Sequence, residues 1–287
     1  MPVFNSEKYV LESVNSILNQ TLSDFEFIII NDASTDNTEK ILNNIKDKRI
    51  IRIDNKIQMG NYRCRNIGMS VAKGSFIAVM DSDDISMQTR FATQYDFMIK
   101  TPRCIALGSA VEVFHGNKTL LFKRMYGSDE NKIMLLKDNV TTHPSLMIRG
   151  DSLRNHKITY QESYVFSSDY DLMVKLSQKG KIYNLPEILL KYRIHSDQIS
   201  TRYKKEQSYF ADQIRIKQLK NLYINPNREE IRIHISLMRD NTVYDNELKQ
   251  MENWFNKILR QNEKYKIYDN EKLFYFLQEY YIRSIHL

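Results

Sequence analysis

Apolar positions in this chain recur in two spacings, and the alternation between them predicts its elements. Short unbroken apolar runs, Phe25 to Ile30 and Phe76 to Met80, read as buried strands, and Arg49 to Ile53 as a shorter one. Between them the spacing is helical: Val10, Val14, Ile17 and Leu18 predict a helix that begins near Ser6 and ends before Thr21. A second helix follows the polar loop Asn31 to Glu39 and runs to about Ile45, with Ser34 or Asp36 as its cap, and a third spans Asn61 to Lys73 and closes at Gly74. The order helix, strand, helix, strand, helix, strand is that of a doubly wound α/β sheet.

Beyond Asp84 the pattern predicts a helix from Ser86 to Lys100, stopped by Pro102, then paired strands from Cys104 to Lys123 around His115-Gly116-Asn117. Helices are expected over Ser128 to Lys137 and Ser168 to Lys179, and strands over Pro144 to Ile148 and Leu185 to Ile194. After Ser196 the chain turns charged and aromatic with long helical stretches, which predicts a main unit over 1–200 and a helical appendage over 201–287. Trp254 and the Tyr and Phe residues there fall at helical spacings that suit a core.

The chemistry is suggested by where the strands stop. Phe76 to Met80 ends in Asp81-Ser82-Asp83-Asp84, and in open α/β sheets ligands bind beyond the carboxyl ends of strands. In an extended chain Asp81 and Asp83 share a face about 7 Å apart, and at an effective dielectric of about 20 their repulsion is roughly 2 kcal/mol. Either the run is an acidic, solvated turn or a divalent cation relieves that repulsion. Asn31-Asp32 and His195 also lie at predicted strand ends, which the sheet would gather on one rim. Carboxylates with an imidazole suit Mn²⁺ or Mg²⁺, and such a metal would bridge the phosphates of a nucleotide ligand. Arg63 and Arg65 could add cationic contacts, and Asp169 is a candidate general base or, equally, a helix-dipole residue.

Composition narrows the classes. The 287 residues are 42% hydrophobic and 27% charged, ordinary for a globular protein. No apolar run approaches the ~18 residues of a membrane span, and no leader pattern opens the chain, so a cytoplasmic protein is expected. Two cysteines, Cys64 and Cys104, make no disulfide framework. A net charge of +7 suits an anionic small molecule or membrane surface, with no basic block for nucleic acid. Residues 201–287 hold 16 Lys and Arg against 12 Asp and Glu, so +4 of the charge lies there and would favour peripheral membrane association.

Six segments, in order, resemble the motifs of the family 2 glycosyltransferases of the GT-A fold. Pro2-Val3-Phe4-Asn5 is similar to their opening loop, Phe25 to Thr35 to their nucleotide motif, and Gly60 to Asn66 with Gly68 to their Arg-Asn helix. Asp81-Ser82-Asp83 resembles their metal-binding DxD, Ser168 to Leu172 their acceptor-site helix, and Tyr192 to His195 their closing motif. The resemblance covers roughly residues 1–200. It implies a Rossmann-like sheet that moves a sugar, with inversion, from a nucleotide diphosphate sugar to an acceptor hydroxyl of a glycan or lipid-linked sugar, in surface polysaccharide assembly.

By position, the resemblance implies that Pro2, Phe4, Glu7 and Asp32 line the nucleoside pocket with Arg65 nearby. It puts Asp81 on the ribose or metal side, Asp83 on the metal, His195 on metal or diphosphate, and makes Asp169 the base. Two departures stand out: Ser168 replaces the acidic residue common before the base, and the family's first strand, which would precede Pro2, is almost absent. A truncated reading frame is the expectation from the second, and a nucleotide-sugar-binding or scaffold protein with a degenerate site is the alternative function.

Overall fold

The computed structural model describes residues 1–116, 118–124, 127–196, 198–240 and 247–285. The amino-terminal half alternates as the spacing predicts. Strand β1 (Pro2–Val3) leads into a turn in which the Ser6 carbonyl accepts Tyr9 N and Val10 N, both at 2.9 Å. Helix α1 (Val10–Leu18) therefore starts later than its polar prelude suggests, and it buries Val10, Val14 and Ile17. Strand β2 (Phe27–Asn31), helix α2 (Thr38–Asn44) and strand β3 (Ile50–Asp54) follow. Neither Ser34 nor Asp36 is the cap of α2, since Asn37 holds that position without a side-chain cap bond, and the two residues act just before it. Ser34 Oγ accepts Asn5 N at 3.1 Å, and Asp36 accepts Thr38 N at 2.9 Å and Glu7 N at 3.1 Å, which ties the loop after β2 to the loop after β1.

Strand β2 lies between β1 and β3, parallel to both, with Phe27 opposite Ile50 and Asn31 opposite Asp54. Helix α3 (Asn61–Val71) packs on it, where Gly68 allows the close approach: a Cβ there would meet Ile30 Cδ1 at 3.4 Å.

The second sheet has six strands. Strand β4 (Phe76–Ala78) is shorter than the predicted run and pairs antiparallel with the strand Met147–Arg149, where a parallel neighbour was expected. The strand ends at Ala78 although Val79 N still donates to Leu146 O at 2.8 Å; the carbonyls of Val79 and Leu146 accept instead from the buried Arg90 guanidinium, at 2.8 and 3.2 Å. Ile85–Ser86 is strand β5, not the start of a helix. It pairs with the strand Lys181–Arg193 before α4 (Arg90–Lys100) begins. The hairpin β6 (Cys104–His115) and β7 (Lys118–Phe122) forms as predicted, although Asn117 in its turn lies outside the described residues.

Helix α5 (Ser128–Met134) follows. The strand expected over Pro144–Ile148 is split: His143–Ser145 forms a 3₁₀ turn, since Pro144 has no N–H for a ladder, and β8 (Met147–Arg149) starts after it. Helix α6 (Gly150–His156) has no periodic signal, because Leu153 is its one large apolar residue. Helix α7 (Ser168–Ser177) and the long β9 (Lys181–Arg193) complete the second sheet, in the order β4-β8-β6-β9-β5 with β7 on β6.

The carboxyl-terminal region is helical: α8 (Ile199–Arg202), α9 (Lys204–Gln218), α10 (Arg228–Met238), α11 (Leu248–Tyr265) and α12 (Asn270–Ile285). A capping box closes the start of α10, where Asn227 and Glu230 exchange backbone-to-side-chain bonds of 2.9 Å. Trp254, Leu237, Met251 and Leu277 form a core that also takes in Ile133 and Leu136 beside α5, so these helices pack against the sheet unit through α5. Among the described residues no helix is long and apolar enough to cross a membrane.

Candidate active site

Four of the predicted residues meet at the end of β4. Oxygens of Asp81, Asp83 and Asp84 lie within 4.8 Å of one another, and at that separation two carboxylates repel by roughly 3 kcal/mol at an effective dielectric of about 20. His195 Nε2 stands 2.9 Å from Asp83 Oδ2, and its ring leans on Tyr9 with centroids 4.9 Å apart. The closing strand β9 brings it there: β5 pairs Ile85 with Lys191, which docks the acidic turn beneath the end of β9. The Arg193 guanidinium donates to the Asp83 carbonyl at 2.8 Å, and Arg193 N donates to Asp84 Oδ1 at 2.9 Å.

Burial and the neighbouring carboxylates make this cluster costly to ionise. Burial, then Asp81, pushes the Asp83 carboxyl up, and His195 opposes the rise. Asp84, fully buried, is pushed well above the usual carboxylate range by burial, Asp83 and Asp81 in that order, and its Oδ2 has no hydrogen-bond partner. A partnerless carboxylate oxygen beside two others is a donor set that fits a hard divalent cation.

A raised carboxyl pKa subtracts stability as pH climbs from the unfolded value through the folded one, and costs nothing below both. Metal-free Asp84→Asn should therefore melt higher than the parent at pH 7, by roughly 3–6 °C. The advantage should fade below about pH 4, which melting curves across pH would show.

Helix α3 connects this cluster to the predicted base. Arg65, buried, pairs with Asp81, and its guanidinium carbon lies 5.9 Å from the Tyr160 ring centroid. Burial works against the Arg65 charge, but Asp81 more than compensates and holds it firmly protonated. One turn earlier Tyr62 donates to Asp169 Oδ1 at 3.2 Å, while Asn139 Nδ2 donates to Oδ2 at 3.0 Å. Residues three apart share a helix face, so α3 touches the carboxylate cluster with one residue and Asp169 with another. Asn66 holds the Tyr160 backbone at 2.9 and 3.0 Å.

Asp169 lies in the first turn of α7, and burial nevertheless pushes its carboxyl up against the hydrogen bonds that oppose it. Its neighbour Asp171 is a structural residue, paired with Lys175 at 2.7 Å and Lys217 at 2.9 Å. Ser168 is fully buried.

The residues expected on the nucleoside side form a separate wall. Asp32 is buried with both oxygens engaged: Oδ1 accepts Asn55 Nδ2 and Met59 N, and Oδ2 accepts Gly60 N, all at 2.8 Å. Burial raises its pKa, but these bonds outweigh it and hold the carboxyl below the usual range. Gly60, at φ +90°, gives the loop the turn that aims both N–H groups at Asp32. Glu7 accepts from Asn37 N and Nδ2 at 2.9 and 2.8 Å, Pro2 is half-buried and Phe4 is exposed. Ser6 and Ser82 hydroxyls, 2.8 Å apart, join this wall to the acidic turn. Arg63 faces solvent and joins neither group.

Sequence reading did not single out Tyr62, Asn139 or Tyr160. Tyr62 carried a usable signal, since it lies one helical turn before Arg65. Asn139 carried none, because only the folded chain brings it to Asp169.

Comparison with known proteins places this geometry. Residues 1–159 match the family model described as glycosyl transferase family 2. The chain is 32% identical over 224 residues to an uncharacterised glycosyltransferase of Haemophilus influenzae, covering 74% of this chain and 69% of that one. It is 36% identical over 218 residues to one of Methanocaldococcus jannaschii, covering 73% and 74%. Escherichia coli WfaP, named a UDP-Glc:alpha-D-GlcNAc-diphosphoundecaprenol beta-1,3-glucosyltransferase, is 30% identical over 206 residues, covering 71% and 79%.

Among solved structures, S. aureus TarS 1–349 in complex with UDP-GlcNAc superposes with a TM-score of 0.67 at 18% identity, covering 99% of this chain and 87% of that one. The mannosyltransferase PcManGT of Pyrobaculum calidifontis, in complex with GDP-Man and Mn²⁺, gives 0.58 at 11% identity, covering 99% and 84%. These two show the same GT-A architecture. The chain is a member of glycosyltransferase family 2.

Proposed function

We propose that this glycosyltransferase moves a sugar, with inversion, from a nucleotide diphosphate sugar to an acceptor hydroxyl, with a divalent cation at Asp81, Asp83 and Asp84. The single observation that carries the reading is the joining, through α3, of a carboxylate cluster of cation-binding character to a half-buried Asp169. Asp83 and Asp84 would hold Mn²⁺ or Mg²⁺, with Asp81 on its ribose side and His195 on the metal or the diphosphate. When bound, the cation supplies positive charge against the departing diphosphate. Asp32, Pro2, Phe4 and Glu7 form the nucleoside side, with Asp81 and Arg65 between base and metal.

Asp169 takes the acceptor proton. Its raised pKa improves it as a base near neutral pH, and Tyr62 and Asn139 hold the carboxylate in one orientation. One base on the acceptor side is what a single in-line displacement needs.

The acceptor class follows the relatives: WfaP is named for a lipid-linked sugar, and WbnJ of Escherichia coli, 33% identical over 210 residues, is named an O-antigen biosynthesis glycosyltransferase. In this reading residues 1–200 are the transferase unit, and the basic helical region 201–287 rests at the cytoplasmic face of a membrane that presents the acceptor. Bacterial-type surface polysaccharide assembly is the setting, and no nucleic acid takes part.

Incubation with a panel of UDP- and GDP-sugars, a lipid-linked sugar acceptor and Mn²⁺ tests the reading. Nucleoside diphosphate release that EDTA abolishes and Mn²⁺ restores is the expected result, with an inverted anomeric signal in the product by NMR. Release that is indifferent to EDTA would remove the cation, and binding without turnover would favour a scaffold.

A further inference from the structure

Strand β7 lies at the edge of the second sheet, paired only with β6 among the described residues. Its register puts Leu120 opposite Val113, Leu121 opposite Glu112 and Phe122 opposite Val111, so Leu120 and Phe122 share one face of the hairpin and Leu121 takes the other. A strand that packs on a core buries one face and exposes the other. Here all three consecutive apolar side chains stand in solvent, at 68%, 54% and 39% exposure. Charge flanks the strand only at its ends, in Lys118 and Lys123, both exposed.

That charge is of one sign. Between Glu112 and Asp129 the sequence has Lys118, Lys123 and Arg124 and no acidic residue. Both limbs of the hairpin are also fastened to the candidate site. On the β6 limb, Ile194 N donates to Phe114 O and His115 Nδ1 donates to Ile194 O, each at 2.9 Å, and the Arg193 guanidinium carbon lies 4.6 Å from the Phe114 ring centroid. His195 is the next residue. Just beyond β7, Arg124 donates to the Asn139 carbonyl, and the Asn139 side chain holds Asp169. The apolar strand is therefore tied on one limb to the neighbour of Asp83's imidazole partner and on the other to a partner of Asp169.

We propose that the β6–β7 hairpin is a membrane-contacting element, with Leu120, Leu121 and Phe122 seated at the acyl boundary of an anionic lipid surface and Lys118 and Lys123 on its headgroup phosphates. The inference deepens the proposed function and rests on it for the lipid-linked acceptor. A lipid surface accounts for two observations that water does not: apolar side chains on both faces of one hairpin, and cations at the rim of that patch with no acidic neighbour in sequence. It also limits the depth. The outer backbone edge of β7 has no strand partner among the described residues, and unpaired N–H and C=O groups are excluded from hydrocarbon, so the strand lies at headgroup level and only its side chains reach further. A second copy paired along this edge fits less well, because it would bring together the lysines at the ends of both strands. Seated in this way, the hairpin keeps Asp83 and Asp169 close to the surface that presents the acceptor.

Sedimentation of the full chain with vesicles tests the proposal, using phosphatidylcholine alone and phosphatidylcholine mixed with phosphatidylglycerol. The parent should bind the mixed vesicles at least about 10-fold more tightly than the neutral ones. Leu120→Ser with Leu121→Ser should weaken binding to the mixed vesicles by about 30-fold, and Lys118→Gln with Lys123→Gln by about 10-fold. Both double variants should melt with the parent, since all four side chains are exposed. Transfer to a lipid-linked sugar in those vesicles should fall in step with binding, while transfer to the same sugar on a short water-soluble tail should keep the parent's rate. Vesicle binding that the leucine variant leaves unchanged overturns the hairpin and leaves the helical region 201–287 as the contact. A parent that binds no vesicles overturns the lipid surface, and a dimer in analytical ultracentrifugation that the leucine variant abolishes would then name a second copy as the occupant. A parent that binds vesicles through the hairpin yet transfers sugar to neither acceptor removes the catalytic reading and leaves the surface standing.

Discussion

Asp169→Asn should lose about 10² to 10⁴-fold in turnover while it binds nucleoside diphosphate and Mn²⁺ as the parent does. The fold should survive the change, because an amide oxygen still accepts from Tyr62 or Asn139 and the Tyr62 hydroxyl can turn to match. The same residue sets a pH dependence. Burial raises the Asp169 pKa, so the parent should lose rate toward acid with a midpoint above the ordinary carboxylate value of about 3.9, and the variant should lack that limb. Single-turnover transfer measured from pH 4 to 8, beside calorimetric donor binding, checks both. Turnover equal to the parent's would remove Asp169 from proton transfer. Tyr62→Phe gives an intermediate comparison, since it removes one of two bonds that orient the carboxylate and leaves the base itself.

Asp83→Asn should weaken Mn²⁺ binding by at least about 100-fold, more than the 10- to 100-fold typical of residues that only support ligands. Turnover should fall about 1,000-fold, the equivalent of roughly 4 kcal/mol of charge stabilisation at the leaving diphosphate. His195→Gln separates the two ways of losing the site: it removes the 2.9 Å partner of Asp83 and keeps all three carboxylates. A smaller loss than that of Asp83→Asn, partly recovered by added Mn²⁺, is expected for it. Titration with Mn²⁺ followed by electron paramagnetic resonance reads the affinity directly. Parent-like Mn²⁺ affinity and transfer in Asp83→Asn would dissociate the acidic cluster from the reaction.

What the sequence determined is whatever depends on neighbours in the chain. Apolar spacing was enough for α1, β2, α2, β3 and α3, because each is one periodic stretch between polar breaks, and six ordered motifs were enough for the family. It also marked Asp81, Asp83 and Asp169 as candidates. It misread elements whose fate is decided across the fold. The apolar run Phe76 to Met80 is a strand only as far as Ala78, and the Val79 carbonyl goes to Arg90, eleven residues on and on another element. Ser86, expected to start a helix, instead forms a strand with Ile85 because β9 offers an edge.

The tertiary structure alone decided that Arg193 ties the acidic turn to β9 and that Tyr62 and Asn139 hydrogen-bond Asp169. Each of these depends on a distance between residues far apart in sequence, and such distances are set by how whole elements pack. Periodicity records which face of an element is buried and not what lies opposite it.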